Sequence, residues 1–205
     1  MRRWIVLVSV LLMGAAPASM RGRMLGDAVI GYRAERTVTV DGRSYSGTVF
    51  HMPGHDRHEQ QIAGIFEVIL LDAAQKRGFL IVPMLQTYVP FAFPELMAEL
   101  DLPDWRRAPV GVETVNGVRT TRYRIDHTAA DGSRARGFAW VGAEGVLMRL
   151  DGSVTRPGGS HPTTIRMELT DLARGPQDPA LFRLPPGLVE LPPGALQRLL
   201  GGTPG

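Results

Sequence analysis

Residues 113–127 read Glu113-Thr114-Val115-Asn116-Gly117-Val118-Arg119-Thr120-Thr121-Arg122-Tyr123-Arg124-Ile125-Asp126-His127. Asn-Gly between β-forming residues is a strong hairpin signal, because the two central turn positions need a positive φ that Asn and Gly accept. Past the turn, Tyr123 and Ile125 alternate with Arg122, Arg124 and Asp126. That period of two describes a strand with one apolar face and one wet face.

The same pattern continues in both directions. Downstream, Asp131-Gly132 turns the chain and Arg136 to Val141 places Phe138 and Trp140 on one face. Gly145 turns into Val146 to Leu150, and Ile165, Met167 and Leu169 alternate with Arg166, Glu168 and Thr170. Upstream, Val38 and Val40 alternate with Thr37 and Thr39 before the turn at Asp41-Gly42. Tyr45 to Met52, Arg57 to Ile62, Phe66 to Leu71, Phe79 to Val82 and Gln86 to Phe91 follow as strands, punctuated by Pro53-Gly54 and Gly64. This is a meander of about ten strands. One helix is expected mid-chain, with Pro94 and Glu95 in its first turn, Leu96, Met97 and Leu100 as its apolar stripe, and Pro103 as its stop. Asp178 to Phe182 reads as a single helical turn before a Pro/Gly-rich tail. The fold class is mainly β (α+β): a curved antiparallel sheet partly covered by the helix.

The N-terminus has the form of an export signal. Arg2 and Arg3 precede an apolar run from Trp4 to Met13, and Ala16-Pro17-Ala18 offers small residues for cleavage after Ala18. The run is about half the ~20 residues that span a bilayer, so a retained anchor is the weaker reading. The organisation expected is a signal peptide over 1–18, a flexible segment over 19–31, the sheet domain over 32–190 and a tail over 191–205. The mature chain is then periplasmic and does not span the membrane. It has no cysteine, so no disulfide can form. Removing Arg2 and Arg3 brings the net charge of +3 to about +1. The arginines are scattered along strands as solvated faces, which argues against a nucleic-acid partner.

Catalytic chemistry finds no foothold. There is no cysteine nucleophile and no G-x-S-x-G elbow, and Ser160-His161 are adjacent residues in a loop-like stretch. Glu67 and Asp72 stand alone, with no evident carboxylate partner. His51, His55 and His58 match no metal-ligand spacing and read as surface histidines flanking a turn. No cofactor, metal or catalytic residue is expected. The aromatic and methionine content stands out more. Most of it packs the core, while Tyr88, Phe91, Leu96, Met97, Trp140 and Met148 are candidates to line an apolar cavity beneath the helix.

Several segments resemble a known family. Tyr45 to Phe50, Pro53-Gly54 and Arg57 to Gln60 resemble the paired opening strands of the LolA/LolB-like superfamily of periplasmic lipoprotein carriers. Pro83 to Tyr88, the Glu113–Tyr123 hairpin, Phe138 to Val141 with Gly145 to Met148, and Asp178 to Gly187 resemble motifs of an uncharacterised LolA-like family. Gln86 stands where that family's strand motif carries lysine. The resemblance implies an unclosed barrel with one or two helices covering its concave face. It implies non-enzymatic binding of a lipid or lipoprotein acyl chain. The alternative is an envelope interaction protein with a self-filled core, which recruits a protein partner by strand addition.

Overall fold

The computed structural model describes residues 28–62, 64–92, 108–128, 132–159 and 161–192. The helix expected around Leu96 and Met97, the export signal and the end of the tail lie outside the described residues.

The described chain forms one sheet of twelve strands: β1 (Tyr32–Val40), β2 (Arg43–Met52), β3 (His55–Ile62), β4 (Ile65–Asp72), β5 (Arg77–Val82), β6 (Thr87–Ala92), β7 (Ala108–Val115), β8 (Val118–Thr128), β9 (Arg134–Gly142), β10 (Leu147–Thr155), β11 (Thr163–Arg174) and β12 (Val189–Glu190). Their order is β12-β6-β5-β4-β3-β2-β1-β11-β10-β9-β8-β7. Two meanders, β1 to β6 and β7 to β11, are therefore joined through an antiparallel β1–β11 pairing that sets Val40 against Ile165 and Tyr32 against Arg174. This differs from the single meander expected. Only β12 runs parallel to its neighbour. The sheet is mainly antiparallel, curved and unclosed, as the resemblance implied.

Turn chemistry sets the registers. Asp41 and Gly42 both have positive φ, as do Asn116 and Gly117, so both predicted hairpins carry the left-handed pair that suits a two-residue turn. The Asn116 side chain reaches from its turn to Glu168 Oε1 at 2.9 Å and to the Leu169 carbonyl at 2.7 Å. The β7–β8 hairpin thus leans back on β11, across two intervening strands. The turn between β9 and β10 is also held. The Glu144 carbonyl accepts from Val29 N–H at 2.9 Å, and its carboxylate accepts from Arg174 Nε at 3.1 Å.

β1 alternates cleanly. Tyr32, Ala34, Arg36, Val38 and Val40 are buried, while Arg33 and Thr37 face solvent. We call the face with the buried set the inner face. The largest cluster gathers Val38, Val49, Ile125, Ala139, Trp140, Met148, Ile165, Met167 and Leu169. On the other half of the sheet, Ile69 and Leu71 pack with Leu80 and Phe91 on the inner face. Val68, Leu70 and Ile81 on the outer face pack with Phe79, Tyr88, Leu184 and Leu188. The last contacts show that the chain beyond β11 crosses the outer face as a strap. Asp178 caps a 3-10 turn (Pro179–Phe182) by accepting from Ala180 N–H at 2.8 Å. Arg57 Nη1 donates to the Leu181 carbonyl at 3.0 Å, and β12 then pairs with β6.

Candidate functional site: a buried polar row beside an apolar wall

Cross-strand register places inner-face residues in rows, since directly paired residues share a face. One row runs Tyr32, His51, Asp56, Leu71, Gly78, Phe91. The next runs Ala34, Val49, His58, Ile69, Leu80, Val89. A third runs Arg36, Gly47, Gln60, Glu67. Polar groups collect on β1 to β3, with Glu67 on β4, and apolar groups collect on β4 to β6. The inner surface is amphiphilic along the rows.

Gly47 makes the polar part connect. It leaves a gap in the third row, so the Arg36 side chain crosses β2 to reach β3. Arg36 Nη1 donates to His58 Nδ1 at 2.8 Å and Nη2 donates to Gln60 Oε1 at 2.9 Å. A Cβ on Gly47 would collide with the Glu59 carbonyl oxygen and press on Gln60 Cα at 3.1 Å. Gln60 Nε2 points to Glu67 Oε2 at 3.5 Å. Beside this chain, His51 Nδ1 donates to Asp56 Oδ1 at 2.7 Å and Nε2 donates to the Ala28 carbonyl at 3.0 Å. The His51 ring stacks on Tyr32 at 5.0 Å.

Burial dominates the electrostatics. Burial, with the nearby Arg36 and His51 cations, holds His58 well below the usual imidazole range. The neutral ring accepts from Arg36 at Nδ1, so its proton sits on Nε2. That Nε2–H is buried and has no hydrogen-bond partner among the described residues. Burial lowers Arg36 to about 10 and raises Tyr32 above its ordinary value. Burial raises Glu67, against the opposing hydrogen bond from Gln60.

These side chains correct the expectation drawn from sequence. His58 is 2% exposed and His51 5%, so neither is a surface residue, and Arg36 is 4% exposed rather than on a solvated face. His55 lies on the outer face, against the Phe182 ring at 6.1 Å. Alternation separates His55 from the other two: His58 is an odd number of residues along β3 from it. Among the described residues no group of three or more His, Asp or Glu side chains could hold a metal ion.

The sequence-proposed lining residues fall in several places. Phe91 is on the inner wall with Ile69 and Leu71. Tyr88 is on the outer face, edge-on to Phe79 at 5.8 Å, with its hydroxyl donating to Glu190 Oε2 at 2.7 Å. It lines a groove of about 610 Å³ between sheet and strap, walled by Leu70, Phe79, Pro90, Phe182 and Leu184 and rimmed by His55, Asp72, Arg77, Arg183 and Glu190. Trp140 is buried in the other half of the sheet, where Nε1 donates to Glu113 Oε2 at 2.9 Å and the Arg149 guanidinium lies 4.8 Å from its ring. Met148 is wholly buried in that same cluster. Leu96 and Met97 are outside the described residues.

Among known proteins, likeness is found in the fold. No family model matches this chain. No curated protein matches it either. An uncharacterised conserved protein from Thermus thermophilus superposes with a TM-score of 0.52 at 9% identity, covering 93% of this chain and 99% of that one. The MucA/MucB complex of Pseudomonas aeruginosa gives a TM-score of 0.49 at 12% identity and covers 78% of this chain. This chain spans only 57% of the matched chain's length. A structure described as an outer membrane lipoprotein-sorting protein domain, from Vibrio parahaemolyticus, gives 0.34 at 11% identity, covering 77% of this chain and 93% of that one. What the chain shares with the Thermus thermophilus protein is the fold. Among the described residues no helix is long and apolar enough to cross a membrane, which leaves spanning by strands unaddressed.

Proposed function

We propose that this chain is a non-enzymatic binding protein of the periplasm that holds an acyl-bearing guest, a lipid or a lipidated protein, against the inner face of the sheet. One observation carries the proposal: apolar residues of β4 to β6 continue the same cross-strand rows as the buried polar residues of β1 to β3. An acyl chain lying along a row would rest on the half-buried Leu80 and Val89, while Ile69, between them and β3, is itself fully buried. The run from β3 to β6 is roughly 14 Å at the usual strand spacing. Removing apolar area from water supplies about 25 cal/mol per Å², enough for a long chain to offset its lost freedom. Periplasmic residence rests on the Arg2-to-Ala18 export pattern.

The test is binding of a fluorescent fatty acid to the full chain. Micromolar binding is expected, weakened at least tenfold by Leu80→Arg. Protein that carries no extractable lipid and ignores fatty acids would overturn the proposal. Weakening by Phe79→Arg, with Leu80→Arg silent, would move the guest to the outer groove.

A second reading has its own observation. β7 pairs only with β8 among the described residues, and Val112 on this edge strand is 57% exposed. Such an edge can take a strand from a protein partner. If so, Val112→Lys abolishes capture of that partner and leaves fatty-acid binding unchanged.

A further inference from the structure

The buried Nε2–H of His58 is an anomaly. A buried donor without an acceptor costs about as much as a lost hydrogen bond, and native folds rarely keep one. Here the sequence keeps it at the centre of a polar cluster. Arg36 holds His58 Nδ1 at 2.8 Å, which fixes the tautomer and the ring orientation. Val49 and Ile69 flank it in register on β2 and β4 and offer it no hydrogen bond. Gln60 and Glu67 lie in the adjacent row and are engaged with Arg36 and with each other. His51 is engaged with Asp56 and the Ala28 carbonyl. Among the described groups of these rows, the donor left over therefore sits where the polar part of the inner face meets the apolar part.

We infer that His58 Nε2–H is the docking point for the head-group oxygen of the guest: a carboxylate or carbonyl at the end of an acyl chain. The inference rests on the binding function proposed above and adds the chemistry of the recognised end. An acceptor oxygen at His58 satisfies the orphaned proton. The Arg36 guanidinium, bound to the same ring, favours an oxygen carrying negative charge. The tail then extends along the row toward Leu80 and Val89. A guest with an apolar tail and no acceptor gains only the tail contacts. The site selects for the head, and the wall supplies the affinity.

The experiment uses the full chain labelled with ¹⁵N-histidine. His58 Nε2 is followed by NMR during titration with palmitate and, separately, with hexadecyltrimethylammonium, whose head accepts no hydrogen bond. Palmitate is expected to shift the His58 Nε2 resonance, and hexadecyltrimethylammonium to bind without shifting it. His58→Phe keeps the ring and removes the donor. It should weaken palmitate roughly three- to tenfold, the effect of one hydrogen bond, and change hexadecyltrimethylammonium less than about twofold. If palmitate binds wild type and the His58 signal stays still, the inference fails and the proposed function stands. If neither amphiphile binds wild type, the proposed function fails and takes the inference with it. The wild-type titration decides the matter even if the variant does not fold.

Discussion

His58 ties stability to acid. Its pKa is held below the usual value near 6.5, so on acidification the unfolded chain takes up a proton before the folded one. Its contribution is full above about pH 6.5 and is lost as pH falls. By linkage, stability therefore declines as the pH drops below that range. Glu67 works in the opposite sense. Its pKa is raised, so the folded chain gains a proton first as pH drops toward 4.5, and part of the loss is offset there. Tm measured from pH 7 to 5 should fall in wild type and stay flatter in His58→Gln; parallel curves would remove His58 as the responsible group. Gly47→Ala is expected to destabilise by about 1–3 kcal/mol in urea unfolding, because the new methyl meets backbone on β3. Gly47 does not stand out in the sequence, and His58 reads there as a surface histidine beside a turn, yet one signal of its burial is present. Pro53-Gly54 fixes a tight turn that pairs Met52 with His55, and counting back pairs Val49 with His58. An inward Val49 forces His58 inward. The polar character of β3 hid this alternation, since hydropathy alone sees no apolar face in Asp56, His58 and Gln60.

Elements announced by turn residues were legible, because Asp-Gly and Asn-Gly encode backbone geometry directly. Asn116 does double duty. It occupies a left-handed turn position with φ of 45° and ties its hairpin to β11. Asn116→Ala should lower stability by about 1–2 kcal/mol in denaturant titration, and an unchanged midpoint would show that the tie is idle. The strap was half legible. Its capped turn was visible at Asp178, but its docking on Val68, Leu70 and Ile81 was not, since a Pro-rich segment has no period to read. β12 is two residues long and pairs in parallel, which no local pattern predicts. Leu184→Ala with Leu188→Ala removes the strap's two apolar anchors in that outer cluster. The pair should cost about 2 kcal/mol and increase binding of a hydrophobic dye, while the strands of the sheet keep their circular dichroism.

At the scale of the molecule, local signals run out. Alternation told which residues face inward within each hairpin, but not that β1 and β11 are neighbours. That pairing is set by side-chain fit between strands far apart in sequence, Val38 against Met167 and Val40 against Ile165. A sheet joined by so distant a contact should refold slowly, in roughly milliseconds to seconds. Stopped-flow fluorescence of the tryptophans would check this; a microsecond phase carrying the full amplitude would contradict it.

The seam between β1 and β11 has a consequence for how the chain is made. A ribosome delivers β1 first and β11 only after everything from Asp41 to Pro162 has been polymerised. Throughout that interval β1 can pair with β2 on one flank while its other flank stays bare. The nascent chain therefore carries a sticky margin until nearly its last strand emerges, and chaperone escort in that window would matter more to yield than the stability of the finished sheet.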